Sequence, residues 1–215
     1  VTKMYAMDMV TGYDVTTGAD DRHYIYPGAF IHPLSNNFNI SYGVGRMSIT
    51  SAMLTVSTPD YLIHQEEAID EAVVDSLTVI EGFVYEETRD TVFPEGIPHY
   101  YMTDGREYLD EPKEPGVYNV LMDAPRNYVI EYAEIGQLYV NPYGNGMKKI
   151  RTYLDCIDDN PAGLNGLNYI ANFRYYNPNS ETIYVLHGED NYLTGLARFE
   201  GETPTVFLPG EGTFK

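Results

Sequence analysis

Tryptophan is absent from this 215-residue chain, and cysteine occurs once, at Cys156. A single cysteine closes no intramolecular disulfide, so the fold is not a disulfide-stapled scaffold. With no obvious histidine partner, Cys156 is expected to be a small buried apolar residue rather than a nucleophile. Cations are scarce too: 13 Lys and Arg stand against 32 Asp and Glu, for a formal charge of −19. Phosphate backbones are gripped by basic stripes, and none is visible, so nucleic acid is not an expected partner. The same deficit argues against docking on an anionic membrane surface. No apolar run approaches the roughly 18–20 residues of a membrane span. The opening VTKMYAMDMV lacks a charged stretch followed by an apolar core, so no signal peptide is expected.

Motifs of common chemistry are missing as well. There is no G-x-x-x-x-G-K-[ST] phosphate loop, and Gly43 and Gly45 do not open a helix after a strand. The two glycines and two lysines of YGNGMKK (143–149) suit a tight hairpin turn at Asn145-Gly146 better than an anion nest. His23, His32, His64, His99 and His187 form no H-E-x-x-H pattern and are expected as exposed turn residues. No G-x-S-x-G elbow is present. Paired carboxylates carry no signal among 32 acids, some pair of which always lies at a glycosidase-like spacing. An enzyme is therefore the weakest expectation.

What the chain has is tyrosine, 21 residues against 8 Phe. Tyrosine suits strands, where a ring face packs and the hydroxyl reaches water, and it is favoured at protein–protein interfaces. Short alternating segments recur along the chain, among them HYIYPG (23–28) and RMSITSAMLTVS (46–57), with loops at 16–23 and 32–39. The exception is 58–76, where Leu62, Ile69, Ala72, Val73 and Leu77 recur at helical spacing. With Thr58 as N-cap and Pro59 in the first turn, this predicts one amphipathic helix over 59–76. LTVIEGFVYEE (77–87) reads as a strand with a glycine bulge. The polar, proline-rich stretch 88–116 marks a boundary near Glu111–Gly116. It divides an N-terminal β-rich region (1–112) from a C-terminal one (113–215).

From 116 onward, GVYNVLMDAP, NYVIEYAEIG, QLYVNPYG and LNYIANFRYYNPNS give strands broken by Pro, Asn and Gly turns. ETIYVLHGEDN and PTVFLPGEGTF complete a rhythm that resembles the closing hairpins of an immunoglobulin-like sandwich. In that hairpin Tyr192 and Leu193 resume packing after the turn. The expected fold is thus mainly β, an antiparallel sandwich of immunoglobulin or jelly-roll type carrying one helix.

Two acidic stretches offer the oxygen donors that calcium takes: Asp158, Asp159 and Asn160 in DCIDDNPAG (155–163), and Glu189 and Asp190 in the loop 188–191. The first is not an EF-hand, because Ala162 replaces a ligand and Tyr169 stands where the bidentate Glu belongs. The ordinary expectation for both is a solvated turn and no cofactor, with calcium the alternative.

Acidity, tyrosine and the lack of a catalytic constellation point to a non-enzymatic structural subunit of a large assembly. A viral (phage) virion protein, whether capsid, decoration or tail component, fits best, with copies of itself or other assembly proteins as partners. Its location would be the virion, or else the extracellular or cell-surface space. One alternative is a pilus-like or cell-surface subunit whose N-terminal segment (Tyr5, Met7, Met9) completes a neighbour's sheet. Another is a carbohydrate-binding module using the tyrosines of HYIYPG or PHYYMTDG (98–105), although tryptophan, the strongest stacking residue, is absent.

Overall fold

The computed structural model of the chain describes residues 5–7, 23–27, 41, 43, 45–104, 107–142, 147–161, 163, 166–195 and 198–215. It is mainly β, with 43% strand and 7% helix. In chain order the elements are β1 (Tyr5–Met7), β2 (His23–Pro27), β3 (Gly45–Met47), β4 (Ala52–Ser57), β5 (Tyr61–His64), α1 (Glu71–Leu77) and β6 (Val79–Glu81). There follow α2 (Arg89–Val92), β7 (His99–Met102), β8 (Tyr108–Leu109), β9 (Gly116–Met122), β10 (Tyr128–Glu134) and β11 (Gln137–Asn141). The chain closes with β12 (Arg151–Asp159), β13 (Tyr169–Asn177), β14 (Ile183–Tyr184), β15 (Val206–Phe207) and β16 (Gly210–Phe214). The expected turn at Asn145-Gly146, the loops at 16–22 and 32–39, His32 and Met9 lie outside the described residues.

Two compact units are present, each drawn from three stretches of chain. The first comprises 1–56, 80–95 and 124–133; the second comprises 57–79, 96–123 and 134–215, running unbroken across the expected boundary near 111–116. In the first unit, β1-β2-β3 is an antiparallel sheet in which Tyr5 stands opposite Pro27 and His23 opposite Met47. The sheet β10-β4-β6 lies largely in the same unit. There Tyr128 is buried and meets Phe83 edge-on at 6.2 Å. Its hydroxyl donates to the Glu87 carboxylate.

The second unit is built on the five-stranded sheet β5-β11-β9-β7-β8. Its core gathers Ile63, Val74, Tyr101, Tyr118, Val120, Leu138 and Val140. β9 and β11 are buried along most of their length, as strands inside a sheet should be. β5 joins β11 in parallel, Tyr61 beside Leu138 and His64 beside Asn141, while the other pairings are antiparallel.

That parallel pairing overturns the helix expected over 59–76. Residues 61–64 are a strand, Glu66 takes a positive φ of 74° that no α-helix contains, and α1 is a short helix beginning at Glu71. Its N-cap is Asp70, whose carboxylate accepts from the Val73 N–H at 3.3 Å, not Thr58. Thr58 serves the sheet instead. Buried, it donates to the Val120 carbonyl and accepts from the Gly136 N–H, both at 2.8 Å. Gly136 is required there, since a Cβ would lie 2.1 Å from the Pro59 carbonyl oxygen. The apolar stripe misled for the same reason: Val73 and Leu77 are exposed, and the residue α1 buries is Val74.

Two smaller sheets complete the second unit, β12-β13-β16 and β14-β15. The Asn141 side chain links β11 to β14, donating to the Tyr184 carbonyl at 2.8 Å and accepting from its N–H at 2.7 Å. Asn177, almost wholly buried, donates to the Phe207 carbonyl at 2.8 Å.

Candidate interaction surface

The acidic stretches are placed on different elements. Asp158 and Asp159 are the last residues of β12 rather than part of a loop, and the strand alternation points them to opposite faces. Asp158 accepts from the Asn172 amide of β13 at 2.8 Å. Asn160 is tied locally, donating to the Leu167 carbonyl at 2.8 Å. Glu189 and Asp190 are exposed at the tip of a turn closed by the Gly188–Asn191 bridge. Buried Asn191 holds that turn by donating to the Val185 and Pro204 carbonyls at 2.8 and 2.9 Å. The structure does not bring these two acidic pairs together, and among the described residues no three His, Cys, Asp or Glu converge as metal ligands. Tyr192, expected to resume packing after this turn, is exposed.

The histidines divide. His64 is half exposed beside Glu67, whose carboxylate accepts from the His64 N–H at 2.8 Å, and that bond pulls the Glu67 pKa below its ordinary value. Both line an open cleft of about 690 Å³ that also reaches Lys148, Lys149 and Asp190. His99, expected as an exposed turn residue, has a fully buried side chain on β7. Its Nε2 lies 3.1 Å from Thr78 Oγ1, and its Nδ1 lies 3.4 Å from Glu71 and 3.5 Å from Asp75. A hydroxyl, imidazole and carboxylate in line suggest a nucleophile at first sight. However, Thr78 is buried and donates its proton to the Val74 carbonyl at 2.9 Å, so its oxygen accepts from Nε2. The group anchors α1 to β7, helped by Tyr101, whose hydroxyl donates to Glu71 at 3.1 Å. Burial first, then the Glu71 charge, raises the Tyr101 pKa far above the ordinary phenol value. Of the two tyrosines of PHYYMTDG, Tyr101 is wholly buried, while Tyr100 is partly exposed and tilts against the exposed Tyr108 at 5.2 Å.

The part of the second unit that presents chemistry outward is β12-β13-β16. β12 is nine residues long, every one exposed, and it stands at the sheet's edge with no strand paired to its outer side among the described residues. Cross-strand pairs share a face, so the register sorts the side chains. Leu154, Phe173 and Phe214 line one face, joined by Ile157 with Ala171 and by Tyr169. The Phe173 and Phe214 rings stack at 5.1 Å. Tyr153, Arg174, Tyr176 and Glu211 share the other face. A bulge at Asp155 interrupts the ladder, and Asp155 reaches Arg174 at 3.5 Å.

Apolar exposure is high here: Leu154 54%, Ile157 59% and Tyr169 65%, with Tyr153 and Tyr176 each nearly half exposed. Cys156, expected to be buried, is exposed on β12, where the Asn172 amide reaches its sulfur at 3.4 Å. Beside the strand, Phe173 and Tyr169 meet Leu193 and Phe199 around a cleft of about 510 Å³. Sequence reading passed over this surface because it took 155–163 for a loop. The available signal was RTYLDCIDD, in which β-favouring residues are interleaved with charges, as edge strands tend to be.

The arrangement can do two things: offer a row of backbone N–H and C=O groups to another strand, and bury exposed tyrosine and aliphatic surface against a partner. Comparison with known proteins adds nothing to this, for no family model, no curated protein and no solved structure matches the chain.

Proposed function

We propose that the chain is a non-enzymatic structural subunit of a large assembly, of the kind from which a virion capsid, decoration or tail is built. The observation that carries this reading is β12, a nine-residue edge strand exposed throughout and flanked by half-exposed tyrosines and aliphatics. Its charges and bulge blunt the edge against arbitrary strands, but the tyrosine and aliphatic side chains left exposed along it favour a specific partner. The buried Thr78 hydroxyl and the separated acidic turns support a non-catalytic role. In this reading the two larger sheets of the second unit are the layers of an immunoglobulin- or jelly-roll-like sandwich, and jelly rolls are a frequent architecture of viral capsid domains. The virion, or otherwise the extracellular space, is the proposed location. Each contact can be weak, because a subunit touching several neighbours is held by all of them at once.

The strand-exchange alternative has less support, since Tyr5–Met7 already pairs with His23–Pro27 of the same chain. Light scattering on the eluting protein across a wide concentration series tests the reading. Growth of mass with concentration is expected. A strictly monomeric chain that also recovers no assembly partner from its native source would overturn it.

A further inference from the structure

We infer that β12 pairs antiparallel with β12 of a second copy about a twofold axis, in a register that sets Arg151 opposite Asp158. This rests on the assembly reading above and names its partner and contact. The argument begins with charge. The molecule carries a formal charge of −19, so two copies repel over most of their surfaces. β12 and its approach are an exception: Lys148, Lys149 and Arg151 stand at the start, and Asp155, Asp158 and Asp159 at the end. The stretch is neutral but polarised along its length. Parallel pairing would set Arg151 beside Arg151 and aspartates beside aspartates, whereas antiparallel pairing matches opposite signs at both ends. Cross-strand charges favour or oppose a pairing in just this way.

The bulge fixes which residues meet. On a regular strand the side-chain faces alternate without interruption, but the register shift between Leu154 and Cys156 inverts the alternation after Asp155. Arg151 and Tyr153, paired with Tyr176 and Arg174, therefore share a face with Cys156 and Asp158, which are paired with Asn172 and Ile170. Thr152 and Ile157 share the other. A twofold pairing that uses the whole strand keeps faces together only if the half before the bulge on one copy meets the half after it on the other. Arg151 then opposes Asp158, Thr152 opposes Ile157 and Tyr153 opposes Cys156, with Lys148 and Lys149 diagonal to Asp159 and Asp158. The two bulges fall at the axis, where each Asp155 is already held by Arg174 of its own chain at 3.5 Å. The bulge and the charges disfavour an arbitrary strand more than the self-complementary one, in which the only like charges brought close are the two Arg174-paired Asp155 carboxylates.

Two experiments on the full chain test the pairing. Directly opposed residues have Cα atoms about 4.5–5.5 Å apart, within disulfide range. Tyr153→Cys is therefore expected to form a covalent dimer through native Cys156 under mild oxidation. Wild type is expected not to, because its two Cys156 residues stand three positions out of register, roughly 10 Å apart. Ile157→Cys, on the opposite face and opposed to Thr152, four or more positions from either cysteine of the other copy, serves as the control and stays monomeric on denaturing gels. Within one chain, residues 153 and 156 are also too far apart along the strand to bridge.

The second experiment reverses charge. Arg151→Asp and Asp158→Arg are each expected to weaken association roughly tenfold, since each places like charges opposite at two symmetric positions. Combining them in one chain restores the wild-type constant. Both sites are exposed, so circular dichroism should match wild type. If the protein assembles but the Tyr153→Cys chains stay uncrosslinked and the reversals change nothing, another surface holds the copies: this inference falls and the assembly reading stands. If wild type is monomeric at every concentration, this inference falls, and the assembly reading falls with it when no assembly partner is recovered from the native source.

Discussion

β9 and β12 each carry a tyrosine and branched aliphatics, yet one is buried along most of its length and the other exposed at every position. β9, GVYNVLM, has no charged residue and lies between β11 and β7. β12, RTYLDCIDD, has four and lies at the rim of a three-stranded sheet. The difference teaches that charge and apolar content act together here: the central strand is apolar and uncharged, and the edge strand gives up apolar positions to charge. A carboxylate in the middle of the five-stranded sheet would be desolvated without a partner, at a cost of several kcal/mol. On β12 the same group keeps its water and leaves the neighbouring Tyr, Leu and Ile free for a partner.

The sharpest way to break that contrast is to truncate one side chain on each sheet. Leu138→Ala, in the fully buried core, is expected to cost about 2–5 kcal/mol in urea unfolding followed by circular dichroism. Ile157→Ala on β12 should stay within about 0.5 kcal/mol under conditions where the chain is dispersed. Equal losses would mean that β12 is covered within the monomer.

Asp70→Ala removes the cap that starts α1 and should lower stability by about 1 kcal/mol, whereas a helix beginning at Thr58 would be indifferent to it. Tyr101→Phe deletes the bond to Glu71 and is expected to cost about 0.5–1.5 kcal/mol at neutral pH. Its pH dependence has a definite sign. The phenol's pKa is raised in the folded protein above its ordinary 10.0, so the stability it contributes is fully present below that value and lost as pH rises beyond it. Wild type should therefore lose more stability than Tyr101→Phe between neutral pH and the alkaline range, and parallel melting curves would refute this. The smallest effect is expected at the turn: Glu189→Gln with Asp190→Asn should leave the melting temperature unchanged with or without calcium. A calcium-dependent rise that the double variant abolishes would restore a metal site there.

Local pattern was enough to place β9, β10 and β11, because Pro, Asn and Gly punctuate them and their apolar residues fit strands. It failed where distant chain decides. Residues 58–64 carry helix-start chemistry, and only pairing with β11 turns them into a strand, while Thr58 finds its partners at Val120 and Gly136. The burial of His99 and the exposure of Cys156 likewise depend on which sheet each strand joins, which spacing along the chain does not encode. The candidate surface was partly legible, as tyrosine abundance suggested an interface but not where it lies. The turn expected at 188–191 is present, whereas the stretch 155–163, expected as a loop, begins as the second half of β12.

The parallel pairing of β5 with β11 bears on the order in which the chain can fold. Tyr61–His64 is made early, but its neighbours Leu138–Asn141 come much later, and Thr58 waits for Gly136 over the same interval. During synthesis β5 is therefore an unaccompanied apolar strand, and sheet closure must wait for residue 141 to leave the ribosome. Contacts so distant in sequence slow folding and lengthen the time in which nascent chains can stick to one another. A formal charge of −19 opposes such sticking, because like-charged unfinished copies repel one another.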